Sequence, residues 1–138
     1  MATTNAPLPT EELRAIANSA CETALGSAEK YEHTQVADWN TVIINTILQS
    51  LIEKTSAPST TDDDSKSHPS FKYIANSTII QHPGNPSEPS TAGRRGMHSA
   101  VGAFWNTDKD GTFSYKWEGA EKKGMDVVIS INWIAIGF

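Results

Sequence analysis

The sequence predicts an α+β fold in which two N-terminal helices pack on a four-stranded antiparallel sheet. Three patterns lead there. Apolar residues recur at helical spacing through residues 10–54, alternate strictly with polar ones in 112–117, and crowd both faces of 125–138. With 138 residues, a net charge of -5 and no apolar run long enough to span a membrane, one modest core is expected.

Pro9-Thr10-Glu11-Glu12 reads as a helix start, with Thr10 as N-cap and two carboxylates in the first turn, where the helix dipole favours negative charge. Leu13, Ile16, Ala17, Ala20, Ala24 and Leu25 then share one side, and Gly26 is a natural stop. A second helix is expected over 34–54. In it Val36, Trp39, Ile43, Ile47 and Leu51 form one stripe, with Ile44, Leu48 and Ile52 beside it. So wide a stripe needs a sheet or another helix to cover it.

Residues 55–70 turn to Ser, Thr, Pro, Asp and Lys, including Asp62-Asp63-Asp64, and lose all periodicity, so a mobile loop is expected. Residues 71–82 are the first strand candidate, rich in aromatic and β-branched side chains. A second loose segment, 83–96, holds three prolines, three glycines and the Arg94-Arg95 pair. Residues 97–105, mostly small, are the next strand candidate. In 112–117, Phe113, Tyr115 and Trp117 alternate with Thr112, Ser114 and Lys116, the mark of a half-buried strand. The last candidate, 125–138, is apolar on one face at Met125, Val127, Ile129, Ile131 and Trp133. Its other face carries Val128, Ile134, Ile136 and Phe138. Two helices cover one face of a sheet, so a second copy is expected to cover the other and to keep Ile131 and Trp133 from water.

Several function classes find little support. The eleven Lys and Arg are scattered, whereas nucleic acid needs a clustered positive face. Residues 1–9 form no recognisable leader, and a flexible terminus in a cytoplasmic protein is expected. Cys21, the single cysteine, sits at helical spacing among small apolar residues without a basic neighbour, which favours packing over nucleophilic chemistry. Asn106-Thr107-Asp108-Lys109-Asp110-Gly111 resembles the opening of a calcium loop. Counted from Asn106, however, the twelfth residue is Trp117 where a bidentate glutamate is required. A polar hairpin loop, with Asp110-Gly111 supplying the turn, is the plainer reading. Asn76-Ser77-Thr78 is a glycosylation triplet inside a predicted strand, and His33, His68, His82 and His98 have no metal-ligand spacing. No phosphate loop joins a strand to a helix, and Arg94-Arg95 reads as a solvated loop tip. Trp39, Trp105, Trp117 and Trp133 lie on apolar faces and read as packing residues.

Specific strings then resemble a known family. Tyr31-x-His33-Thr34-x-Val36-x-x-Trp39, Phe71-Lys72-Tyr73-Ile74 and Ile79-Ile80-Gln81 look like the Tctex-type dynein light chains. So do Gly96-Met97-His98-Ser99-Ala100 leading to Phe104-Trp105, and Asp110-Gly111-Thr112 leading to Lys116-Trp117-Glu118. The order and spacing of these strings extend the resemblance over residues 11–138, and the domain it implies is 10–138. Relative to that family the links at 55–70 and 83–96 are enlarged, which costs little because loop closure grows only as the logarithm of length.

The resemblance implies a non-catalytic, cofactor-free and metal-free homodimer, cytoplasmic and tied to microtubules. In it, residues 97–105 leave their own protomer and pair with the partner's first strand. The implied partner-binding edge is Met97, His98, Ser99, Ala100, Val101, Gly102, Ala103, Phe104 and Trp105. The implied dimer interface is Phe71, Tyr73, Val101, Phe104, Ile131 and Trp133. Family members bind an extended segment of the dynein intermediate chain, and some cargo proteins, beside that edge. A dynein-independent dimerisation hub could use the same groove. A calcium-binding protein or small hydrolase has only residues 106–111 and the histidines behind it.

Overall fold

The computed structural model describes residues 6–57, 68–81 and 98–136. Helix α1 (Thr10–Leu25) begins after Pro9, whose carbonyl accepts the N–H groups of Glu12 and Leu13. Pro9, not the expected Thr10, therefore holds the cap position, and no side chain caps this end. Glu11 and Glu12 still occupy the first turn, where the dipole favours them. Leu13, Ile16, Ala17, Ala20, Cys21 and Leu25 form the buried side. Helix α2 (Val36–Thr55) buries Trp39, Ile43, Ile47 and Leu51, while Ile44 and Leu48 beside them are half-buried.

Two short strands, β1 (Ser56–Ala57) and β2 (His68–Pro69), pair antiparallel at the two ends of the long link. The main sheet contains β3 (Phe71–Gln81), β4 (Gly111–Trp117) and β5 (Met125–Ala135), all antiparallel, in the order β3-β5-β4. The expected loops of 55–70 and 83–96 fall mostly on 58–67 and 82–97, outside the described residues, as does Met97.

β5 is central because it alone is long and apolar enough to be paired on both edges. Its pairing runs from Phe71↔Ala135 to Gln81↔Met125 on one side and from Gly111↔Trp133 to Trp117↔Val127 on the other. Partners in an antiparallel ladder point to the same face. The rows Tyr73–Trp133–Gly111 and Ala75–Ile131–Phe113 therefore face the helices, and Ile74–Asn132–Thr112 and Asn76–Ser130–Ser114 face outward. Met125, Val127, Ile129, Ile131 and Trp133 join the buried sides of α1 and α2 in one core.

Among the described residues the main sheet has three strands, and residues 98–104, expected to pair with a second copy, form no strand within their own chain and are exposed. One expectation is corrected. Ile131 and Trp133, expected at a dimer interface, lie instead in the helix-facing row and are fully buried by α1 and α2. The face of β5 that carries the larger side chains is thus covered within the chain.

A short 3-10 helix (Glu118–Lys123) joins β4 to β5 and ends at Gly124, whose φ of 76° lets its N–H reach the carbonyls of Ala120 and Glu121. Gly111 serves differently from the turn role expected of it. Its φ is not positive, but a Cβ there would lie 2.6 Å from a ring carbon of Trp133, the residue opposite it in the ladder. The Gly111→Ala variant should therefore push Trp133 off its rotamer and destabilise the fold by about 1–3 kcal/mol. Guanidinium unfolding followed by tryptophan fluorescence reads this, and an unchanged midpoint would show that the ring has room to move.

Candidate functional site

β3 is paired with β5 on one edge only. Among the described residues no strand pairs its other edge, so over eleven residues, about 36 Å of extended chain, alternate N–H and C=O groups face away from the sheet. The edge is held rigid by α2. Ser77 Oγ donates to Asn40 Oδ1 at 2.7 Å near one end of the helix, and the Tyr73 and Thr55 hydroxyls meet at 2.6 Å near the other. Phe71, Tyr73, Ala75 and Ile79 of this strand pack against the core. Phe71 and Tyr73 are thus half-buried on the helix side, with ring centroids 6.1 Å apart.

The segment expected to supply the interaction edge is the most open described part of the chain. His98, Ser99, Ala100, Val101, Gly102, Ala103 and Phe104 are all exposed, Val101 to 74% and Phe104 completely, and only Trp105 is half-buried. An isolated exposed Leu or Val needs no explanation, but two large apolar residues on an unpaired segment, in a chain with an unpaired strand edge, do. The sheet's outer face adds Ile74, 55% exposed, and half-buried Val128 and Ile134. Beside them the Asn132 Oδ1 is shielded from solvent without a hydrogen-bond partner.

Residues 106–110 form a closed turn, and here the structure supplies what sequence reasoning missed. Asn106 O accepts the N–H groups of Lys109 and Asp110, and Asn106 Oδ1 accepts that of Asp108 at 2.9 Å. Asp110 is buried, with Oδ2 accepting the Asn106 N–H at 2.8 Å and Oδ1 accepting the Ala135 N–H at 2.7 Å. The side-chain oxygens of Asn106 and Asp110, two of the three that resemble a calcium loop, accept from backbone donors. Among the described residues no group of three His, Cys, Asp or Glu side chains is placed to hold a metal ion. The signal for this was the Asn-x-Asp-x-Asp string itself, since short polar side chains bond their own turns as readily as they bond cations.

Elsewhere, His33 Nδ1 is paired with the Tyr31 hydroxyl at 2.8 Å. The polar cleft lined by Ser27, Glu29, Lys30, Glu32 and Gln35, with Trp39 at its side, brings no nucleophile and base together. No described helix is long and apolar enough to cross a membrane.

A family model described as the Tctex-1 family matches residues 7–134. The chain is similar to the dynein light chain Tctex-type of Schizosaccharomyces pombe, with 31% identity over 130 residues that cover 94% of this chain and 97% of the relative. It is 30% identical over 125 residues to the dynein light chain Tctex-type of Dictyostelium discoideum, covering 91% and 89% of the two chains. Against the human dynein light chain Tctex-type 3 the identity is 25% over 126 residues, with 91% and 85% covered.

Cys21 behaves as a core residue. Burial first, and the neighbouring Glu22 second, push its thiol from the ordinary 9.0 up to about 12. Because the folded value lies above the unfolded one, its contribution to stability is complete below about pH 9 and is lost as the pH rises toward 12. Unfolding midpoints should therefore fall between about pH 9 and pH 11, less so in Cys21→Ala, and a thiol reagent at neutral pH should react only after denaturant is added. Rapid labelling of the native protein would contradict this.

Proposed function

The chain belongs to the Tctex-1 family, and from that premise we propose that it is a non-catalytic light chain of the cytoplasmic dynein motor, acting as a homodimer at microtubules. One observation carries the reading: an unpaired β3 edge and an exposed, unpaired segment at 98–104 occur in the same chain. Each has what the other lacks. Residues 97–105 of one protomer pair with β3 of its partner and become the fourth strand of that sheet. Exchange of an identical element lets both copies gain hydrogen bonds without a new surface. Val101 and Phe104 are buried in the same step, and the outer face of the sheet, with Ile74, Val128 and Ile134, meets the second copy.

The added strand leaves a new outer edge. An extended segment of the dynein intermediate chain, and of some cargo proteins, adds there as a further strand, with main-chain bonds giving affinity and alternate side chains giving specificity. The light-chain domain runs over 10–138, and the enlarged link at 83–96, which leads into residues 97–105, gives them the reach that exchange demands.

Adjacent residues of a strand direct their N–H groups to opposite sides. Of Val101 and Gly102, one pairs inward with the partner's β3 and one outward with the bound peptide, and proline removes either donor. Of Val101→Pro and Gly102→Pro, one should weaken the dimer and the other should weaken intermediate-chain peptide binding, each by about tenfold or more. Sedimentation and peptide calorimetry separate the two. If both variants stay dimeric and bind like the parent chain, the interaction edge lies elsewhere. Capture of a dimer that carries partners but no motor subunit would turn the reading into that of a dynein-independent hub.

A further inference from the structure

Asp110 is the one buried charged residue among the described residues, 7% exposed, and its two carboxylate oxygens reach different elements, one the start of its own turn and the other β5. Oδ2 takes the N–H of Asn106, the first residue after the exposed segment, and Oδ1 takes the N–H of Ala135, the last residue of β5. Ala135 is in turn the ladder partner of Phe71, where β3 begins. The carboxylate therefore ties the root of residues 98–105 to the end of the sheet at which the open edge starts. On one side of this tie the chain is fixed by the bonds within Asn106, Asp108, Lys109 and Asp110. On the other side, through Phe104, it is open.

We propose that Asp110 is a positioning residue for the interaction edge, its carboxylate setting where residues 98–105 leave the body and hence the register in which they pair. This rests on the strand-exchange reading above. The physical need is specific. A strand slipped by one residue presents every side chain to the wrong face, so Val101 and Phe104 would trade places with their polar and small neighbours. A segment with a free root would also lose more conformational freedom on pairing than one already anchored at one end. Holding the β4 end to β5 requires only the bond to Ala135. The bond to Asn106 is the one that acts on the segment.

Asp110→Asn keeps the shape but replaces one acceptor oxygen by an N–H₂ group facing an N–H donor, so one of the two ties is lost. Asn106→Pro is the second variant. It removes the backbone N–H that Oδ2 accepts and leaves Asp110 with its bond to Ala135. Ile47→Val, a buried α2 residue far from the edge in sequence, serves as a control that lowers stability alone. In the full-length dimer we measure sedimentation, amide exchange over 98–105 and calorimetric binding of an intermediate-chain peptide, all well below the unfolding temperature.

Asp110→Asn should weaken the dimer and the peptide complex by about tenfold or more and speed amide exchange over 98–105. Asn106→Pro should do the same, and Ile47→Val should do neither. If the two variants match Ile47→Val, with lower stability but parental exchange, dimerisation and binding, Asp110 only holds the hairpin and the proposal is overturned. Should Asp110→Asn fail to fold, Asn106→Pro decides alone. If the parent chain does not bind the peptide, the light-chain reading has failed, and dimer strength and amide exchange still decide the role of Asp110.

Discussion

The double pairing of β5 is the constraint on which the remaining structure depends. Eleven residues, Met125–Ala135, form a ladder with β3 on one edge and β4 on the other, while Met125, Val127, Ile129, Ile131 and Trp133 make the sheet's contribution to the core. Buried backbone groups must be paired, and a strand this deep satisfies them only with neighbours on both sides. The apolar stripes of α1 and α2 then have one surface to cover. The clips Ser77–Asn40 and Tyr73–Thr55 set α2 against β3, and Trp133 closes over Gly111 where a side chain would not fit.

That arrangement leaves the chain finished on one face and unfinished on the other. The helix-facing rows are covered. The outer rows mix Asn76, Ser130, Ser114 and Thr112 with Ile74, Val128 and Ile134, a composition closer to an interface than to a core. Among the described residues nothing pairs the outer edge of β3, a feature that proteins usually blunt because it invites association. Here the invitation is matched by a segment of the same chain that is open from His98 to Phe104 and anchored at Asn106. In the light-chain reading the two openings pair with each other across copies, and the peptide adds to the outer edge that this creates.

Much of this was legible in the residues because it is local. Alternation in 112–117 marks β4, the stripes Leu13 to Leu25 and Trp39 to Leu51 mark the helices, and the apolar run from Met125 marks the long strand whose one face enters the core. What was not legible is non-local. Period two says that β5 has two faces but not which one the helices take, so Ile131 and Trp133 were placed at an interface when they belong to the core. Strand propensity in 97–105 likewise does not say whether the pairing edge lies in the same chain. Asp110 was legible as a turn residue but not as a clasp. Its residue type does not say that one oxygen reaches across to Ala135, and only the directions of its oxygens show it.

Whether residues 98–105 complete the sheet of a second copy is tested most directly by nuclear Overhauser spectroscopy on an equimolar mixture of carbon-13-labelled and unlabelled protein, filtered for contacts between chains. Strand exchange predicts intermolecular contacts from Val101 and Phe104 of one copy to residues of β3 in the other. A particle of 15.0 kDa with no such contacts, or contacts from Val101 to β3 only within one chain, would contradict it.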